Sequence, residues 1–500
     1  MTEKKKLILL GLDGVGRELL ELQAAAELRQ VLESSFFTDL QSVYPYYTGP
    51  AFASFQTGVG PEDHGILGFI SDTEQGRLYK GRALRRKTFY EILHENGLRV
   101  FLLNLPLSYP PRADVDMITS FLTPSDEMSD FIHPSDLAAR FPSIREYRLY
   151  PYGETSSYKM LLAERKVFRS KCAIIEEVLG RGEHDVVFFL IRITDWIQHA
   201  CLVGLRQGRK SRIERLAGEI LGQLGKFLES LLQKFSSSHN FIMFSDHGFR
   251  VYPGAVFVRD VLADANIISA QATNRLMNEL RYHAHRLAPP GSRRREALKF
   301  LRQMLPGQEP SSTAAGPNEE SGPVRCTDGI FRGIRVAAEW DDTTENLKDV
   351  FRDVKGVSLV PREKLFRRDG EFFDKIPEFA VLPGKLNVHS RFAGRKYIKR
   401  PESDHSMTGI VSLGGECFSG CPRNATLRDL MPTVLYLSGC PIPESCTGRV
   451  LTEAFSASTR ERLGKPSYER CEHSPRFLKD TASADDHVVM ERLRKMGYLE

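Results

Sequence analysis

The chain has 500 residues, a net charge of +5, 41% hydrophobic residues and 27% charged residues. That length exceeds a single average core, so it implies either several structural units or one large α/β domain with insertions. The mixed composition excludes wholesale disorder, and so small a charge gives no support for a nucleic-acid polymer or a membrane surface as partner.

In chain order, MTEKKKLILLGLDGVG has a basic start and a short apolar run without a small-residue cleavage site, and it reads as a first strand, Lys6 to Leu12, closed by Asp13-Gly14. In YPYYTGPAFASFQTGVGPEDHGI, Tyr44 to Ile66, a helix is expected over Ala51 to Phe55 behind Pro50 at its first position. Thr57 and His64 read as structural turn residues, whereas Thr48 stands at the helix N-terminus, where anions bind. A helical stretch, Lys87 to Asn96, precedes a strand at Arg99 to Leu105. DVVFFLIR, Asp185 to Arg192, is a buried strand leading to Thr194-Asp195, with Thr194 expected to cap the next helix. Leu216, Ile220, Leu224, Phe227 and Leu231 keep a helical period, and NFIMFS, Asn240 to Ser245, is another buried strand ending at Asp246-His247-Gly248.

From about Ile267 the pattern weakens, and Ala288 to Val324 collects Pro, Gly, Ser, Arg and Glu. Regular signals return with a strand at Gly409 to Leu413 and helical spacing over Leu427 to Leu437. Near the end Val489, Leu493 and Met496 share a helical face that starts at Asp485 or Asp486 and stops at Gly497, which predicts a helix that docks. The expected fold is α/β, a doubly wound, largely parallel sheet with helices on both faces and a small inserted cap. The expected organisation is a first catalytic part over 1–265, a cap over 266–395 with a mobile linker around 288–325, a second catalytic part over 396–455 and a tail over 456–500. Eight irregularly spaced cysteines suggest free thiols, and no run approaches the roughly 20 apolar residues of a membrane span. A cytoplasmic protein is expected.

Asp13, Asp195 and Asp246 each follow a predicted parallel strand, at the edge where open α/β sheets place their sites. An Asp-Gly after a strand is ordinarily a turn, but two of these acids have histidine partners. In TDWIQHA, Asp195 and His199 are four apart on one helical face, and in FSDHGF His247 adjoins Asp246. His405, in ESDHSMTGIV just before a returning strand, is the best-placed further imidazole. Carboxylates with imidazoles in this number exceed one tetrahedral zinc and suit two divalent ions, zinc or manganese. Such a pair supports in-line displacement at phosphorus, with the Thr48 hydroxyl as nucleophile and a phosphothreonine as intermediate.

With these residues in place, TGPAFASFQTGVGPEDHGI, preceded by GLDG and followed by DWIQH, SDHGF and SDHSMTGI, resembles the nucleotide pyrophosphatase/phosphodiesterase branch of the alkaline phosphatase superfamily. NLPLSYPP at Asn104 to Pro111, LRDLMPTVLYLSGCPIPESCTGRVL at Leu427 to Leu451 and the closing ERLRKMGYL are similar to prokaryotic type I phosphodiesterase-like members. The likeness fades between about 265 and 395. It implies an alkaline phosphatase-like fold and a hydrolase of phosphodiesters or phosphoanhydrides of nucleotide or nucleotide-sugar type. By the same resemblance Asp195, His199 and His405 would hold one zinc, and Asp13, Asp246, His247 and the Thr48 hydroxyl the other.

The chain departs from that pattern in two places. Phosphodiesterases of this branch set an asparagine against the phosphoryl oxygens, and here Asn104 is the stand-in. Alkaline phosphatases proper carry an arginine beside the nucleophile, whereas Gly49-Pro50 follows Thr48, which favours diesters or pyrophosphates over monoesters unless another residue such as Arg192 supplies the charge. Sulfatase spacing is absent, since Cys421-Pro422-Arg423 does not place proline two and arginine four residues on. The alternatives are a phosphomonoesterase, phosphonate hydrolase or phosphotransferase on the same fold, a dinucleotide-binding enzyme read from GLDGVG, or a binding protein without catalysis. The dinucleotide reading has its glycines in the wrong order and an aspartate where backbone must approach phosphate. The expected partner is a small phosphorylated substrate; the oligomeric state is left open.

Overall fold

The computed structural model describes residues 6–71, 78–128, 130–149, 157–268, 324–327, 331–336, 341–471 and 486–495. These fall into two compact units, one of Met1–Phe69, Leu78–Val251 and Ser403–Glu491, the other of Ile70–Arg77, Tyr252–Glu402 and Arg492–Glu500. The linker expected around 288–325 lies outside the described residues except for Val324 and Arg325.

The first unit is built on an eight-stranded sheet. Its strands are β1 (Lys6–Leu12), β2 (Phe36–Gln41), β3 (Val100–Leu103), β4 (Asp116–Ile118), β5 (Ile132–His133), β6 (Val186–Ile191), β7 (His239–Phe244) and β8 (Thr408–Gly414), in the spatial order β2-β8-β7-β1-β6-β3-β4-β5. From β7 through β4 the pairing is parallel, and β8 and β5 run antiparallel at the two sides. The strand predicted at Lys6–Leu12 forms with those ends; β3 and β6 are trimmed by a residue or two, β7 is shifted one residue towards the N-terminus, and β8 is a residue longer at each end than predicted. The antiparallel direction of β8 is new: an apolar run carries no sign of its own direction, and β8 returns from distant sequence to pair with both β7 and β2.

β1, β6 and β7 are buried on both faces, as continuous apolar strands require. On one face Leu7 and Leu9 of β1 pack with Phe188, Ile242 and Phe244 under α1 (Thr48–Thr57), α2 (Phe89–Glu95) and, later in the chain, the helix Leu430–Ser438. Between those helices in sequence lie α3 (Ser157–Arg181), α4 (Ile193–Arg206) and α5 (Arg212–Phe235), so the helical period read between β6 and β7 is a crossover helix. Helix α1 begins at Thr48, not at Pro50: Ala51 N donates to Tyr47 O at 2.9 Å, which starts the helix two residues early, and a proline within the first turn loses no helical hydrogen bond. Near the C-terminus a helix spans Asp486–Lys495 with Val489 and Leu493 buried, and Asp486 pairs with Lys80 at 2.7 Å; Met496 and Gly497 lie outside the described residues.

The second unit has its own core. Strands Val324–Cys326, Gly333–Val336, Phe379–Pro383 and Val357–Pro361 form an antiparallel sheet in that order, with Val256, Leu262, Ile334, Phe351 and Val381 packed together. Each of the eight cysteines is a free thiol, and among the described residues no helix is long and apolar enough to cross a membrane.

Candidate metal centre

Three neighbouring parallel strands deliver the three acids to one edge of the sheet: Asp246 follows β7, Asp13 follows β1, and Asp195 lies in the first turn of α4 after β6. Gly14 makes the first turn possible. Its φ of 76° is left-handed, open to glycine at little cost, and brings its amide to 3.4 Å from Asp246 Oδ1. Thr194 does not cap α4, whose N-cap is Arg192; the Thr194 hydroxyl instead donates to the Asp13 carbonyl at 2.6 Å and ties α4 to the end of β1.

Two groups of ligand-type atoms result. In the first, Asp195 Oδ1 lies 3.5 Å from His199 Nε2 and 3.3 Å from His405 Nε2, and those two nitrogens are 3.0 Å apart. In the second, His247 Nε2 lies 3.5 Å from Asp13 Oδ1 and 3.4 Å from Asp246 Oδ2. Thr48 Oγ1 joins this second group, 3.5 Å from Asp13 Oδ1 and 3.4 Å from His247 Nε2. His247 Nδ1 donates to Gly248 O at 3.1 Å, which leaves Nε2 with its lone pair turned towards the acids. The rings of His247 and His405 stack at 4.0 Å, so the two groups are adjacent, and Tyr47 lies against His405 at 4.6 Å. All seven sequence-predicted residues, Asp13, Thr48, Asp195, His199, Asp246, His247 and His405, thus converge, and all but His199 are buried.

Do these residues fit cations? Within each group the ligand atoms lie within 4.8 Å of one another. Buried Asp246 Oδ2 receives no hydrogen bond, and Asp13 Oδ2 receives none either, with Arg192 Nε beside it at 3.4 Å as an ion pair. Burial, reinforced by the neighbouring Asp246 and Asp195 charges, holds Asp13 well above the usual carboxylate range, and burial pushes Asp246 up to about 8. Asp195 is also raised by burial, but His199, His405 and His247 outweigh this and hold it below the usual range. Burial and the neighbouring His247 bring His405 down to about 3, the neutral form a metal ligand needs. Three buried acids with three imidazoles are therefore short of positive charge, and the nitrogen and oxygen donors suit zinc or manganese.

Asn104 lies just past β3, the strand beside β6, with φ 63° and its Nδ2 3.4 Å from Leu190 O. Arg192, which the sequence offers as an alternative source of charge, has its Nε 3.4 Å from Asp13 Oδ2, so an arginine does border the site, 144 positions after Thr48 rather than beside it. Sequence reasoning passed over two further charges. Glu164 and Lys171 are buried on α3, with Lys171 Nζ 3.4 Å from the same Leu190 carbonyl. Their signal was available, since two charged residues seven apart fall on one helical face. His64 is structural: Nδ1 accepts from Ile66 N at 3.1 Å, so Nε2 carries the proton and donates to Ser54 Oγ at 2.9 Å. Thr57 donates to Ala53 O at 2.6 Å and ends α1.

Residues 7–329 match the model of the type I phosphodiesterase / nucleotide pyrophosphatase family. The chain belongs to this family. The match runs past 265, where the motif likeness fades, and the family places the chain among the phosphoester hydrolases of the alkaline phosphatase superfamily, typically metal-dependent. Among solved structures, phosphonoacetate hydrolase from Sinorhizobium meliloti 1021 in complex with phosphonoformate is 15% identical at a TM-score of 0.56, covering 87% of this chain and 95% of that one. Human ectonucleotide pyrophosphatase / phosphodiesterase 5 is 13% identical at a TM-score of 0.50, covering 91% and 100%. At these identities the likeness is one of fold: the mostly parallel sheet with flanking helices is the alkaline phosphatase-like architecture. No curated protein matches the sequence significantly.

Proposed function

We propose that this phosphodiesterase-family chain is a two-metal hydrolase that cleaves a phosphodiester or phosphoanhydride of nucleotide or nucleotide-sugar type through a phosphothreonine at Thr48. The observation that carries the reading is the place of the Thr48 hydroxyl, at the first residue of α1 and within 3.5 Å of both Asp13 and His247. Asp195, His199 and His405 would hold one divalent ion, and Asp13, Asp246 and His247 the other, with Thr48 at the second. Bound there, the ions would favour ionisation of the hydroxyl and neutralise charge on the leaving oxygen.

Thr48 Oγ1 gives its proton to solvent and attacks phosphorus in line, the bond to the leaving oxygen breaks, and that oxygen departs with its electron pair to take a proton from solvent. Water then attacks the phosphothreonine, and Thr48 Oγ1 leaves and is reprotonated. At the start of α1 the amides of Thr48 and Gly49 are the ones that would receive charge from the incoming oxygens, since Pro50 has no N–H and Ala51 N donates to Tyr47 O. Asn104 is proposed as a further contact to the substrate from the end of β3. The non-catalytic alternative predicts no turnover by the loaded protein.

The test is Thr48→Ala in protein loaded with zinc or manganese. Turnover of aryl phosphodiesters, dinucleotides and nucleotide sugars should fall by at least about a thousandfold, the scale at which a covalent nucleophile is lost. Metal content should stay near that of the wild type, and Thr48→Ser should keep part of the activity. Rapid acid quench of wild-type protein followed by intact mass should show a phosphoryl adduct that Thr48→Ala lacks. Near-normal turnover by the alanine variant removes Thr48 from the mechanism.

A further inference from the structure

Arg192 follows β6, serves as N-cap of α4 and is buried. Its Nε lies 3.4 Å from Asp13 Oδ2, and its guanidinium carbon sits 3.6 Å from the centre of the Phe121 ring. Asp13 therefore divides its carboxylate, with Oδ1 towards Thr48 and His247 and Oδ2 towards Arg192. The aromatic side closes the circuit. Phe121 meets Phe69 edge-on at 5.8 Å, and Phe69 packs on Gly49, where an added Cβ would stand 3.3 Å from its ring and 3.0 Å from the Gly68 carbonyl. Thr48 and Arg192 are thus linked through Asp13 on one side and through Gly49, Phe69 and Phe121 on the other.

Charge tells what such a place would take. With the carboxylates ionised, as bound cations would hold them, Asp13, Asp195, Asp246 and Glu164 stand against the cations Arg192 and Lys171, an excess of two negative charges. Two divalent ions, with Thr48 still carrying its proton as the substrate arrives, would turn this into an excess of two positive charges. A monoanionic diester neutralises only half of that, and leaving a buried charge uncompensated is costly. A planar guanidinium, fixed by a carboxylate at one edge and a ring on one face, is suited to bind paired anionic oxygens.

We propose that Arg192 is a specificity-determining residue that grips a second anionic oxygen at or beside the scissile phosphorus, so that the chain takes phosphoanhydrides and phosphomonoesters in preference to simple diesters. This rests on the hydrolase reading above and shifts its substrate class from simple diesters towards substrates with a second anionic oxygen. It also replaces the preference expected from Gly49-Pro50, because the missing charge is supplied from β6 in place of the nucleophile's own loop.

The experiment compares metal-loaded wild type, Arg192→Gln and Arg192→Lys on two matched esters, p-nitrophenyl phosphate and methyl p-nitrophenyl phosphate, together with calorimetric binding of inorganic phosphate. Loss of a charged hydrogen bond to the dianion should lower kcat/KM for the monoester by roughly 30- to 100-fold in Arg192→Gln, and for the diester by less than about fivefold. Arg192→Lys should fall between, and metal content should stay at two ions in every variant. Equal losses on both esters would overturn the proposal. So would loss of one ion from Arg192→Gln, which would mean that Arg192 acts only by holding Asp13. Should Arg192→Gln not fold, Phe121→Leu keeps the charge and loosens its platform: a several-fold loss confined to the monoester supports the proposal, and a uniform loss refutes it. If wild type turns over neither ester, the hydrolase reading fails separately. Phosphate affinity then decides on Arg192: weakening of tenfold or more in Arg192→Gln supports the grip, and unchanged affinity overturns it.

Discussion

Stripping the metals should make the protein less stable as the pH rises from 6.5 to 8, the reverse of what neutralising ordinary surface groups would do. Asp246 is pushed by burial up to about 8, whereas in the unfolded chain it titrates near 4. Across that window the folded state holds a proton on Asp246 that the unfolded state has released, so stability is fully present below the unfolded value and is lost as pH rises through the folded one. The slope is about 1.4 kcal/mol per pH unit, giving a loss of roughly 2 kcal/mol over the window and a fall in Tm of a few degrees. Asp13, raised in the same direction, adds to it. Other groups offset part of this fall. His405 and His64, each brought by burial to about 3, and His239, brought by burial to about 4, contribute stability that still grows by a few tenths of a kcal/mol each above pH 6.5, and Lys171, brought by burial to about 8, begins to add a similar amount as pH 8 is reached. The assay is the thermal melting of chelator-treated protein at half-unit pH steps, repeated with two equivalents of zinc. The zinc-loaded protein should show no such slope, because a bound cation keeps both acids ionised. Asp246→Asn should flatten the slope of the metal-free form. A metal-free Tm that is level or rising between pH 6.5 and 8, or an equal slope with zinc bound, would refute the reasoning.

Elemental analysis should approach two ions per chain; Asp195→Ala or His405→Ala should chiefly empty one position and Asp246→Ala the other, and a single ion untouched by all three changes would sink the assignment. Phe55, on the buried face of α1 with ring centres 4.6 Å from Phe244 and 5.2 Å from Phe89, should cost about 3–5 kcal/mol of stability as Phe55→Ala. Urea unfolding checks this, and a loss below about 1 kcal/mol would mean that α1 is not anchored there.

Much of this chain could be read locally, because the features concerned are set by near neighbours. An apolar run closed by Asp13-Gly14, by Thr194-Asp195 or by Asp246-His247-Gly248 marks a buried strand and the acid at its end, and the spacing of Asp195 and His199 needs only a helix. Some local readings failed where a distant partner competed. Thr194 looked like a cap, but the Asp13 carbonyl at the end of β1 takes its hydroxyl; Pro50 looked like a helix start, but the Tyr47 to Ala51 hydrogen bond sets it at Thr48.

What the sequence by itself determined was the kind of ligand and the strand end it sits on, since residue type and short-range period carry both. Residue type and period do not say which ligands meet: the resemblance grouped them, and the tertiary structure gives the physical reason. His199 and His405 are 206 positions apart, yet their Nε2 atoms stand 3.0 Å from each other, because the antiparallel return of β8 brings the preceding segment back to the sheet edge. Arg192 needed the same kind of information. No spacing rule links it to Thr48, Phe121 or Asp13; only the side-by-side register of β1 and β6, Leu12 opposite Ile191, brings the residues that follow them together, and with them the charge that bears on the substrate.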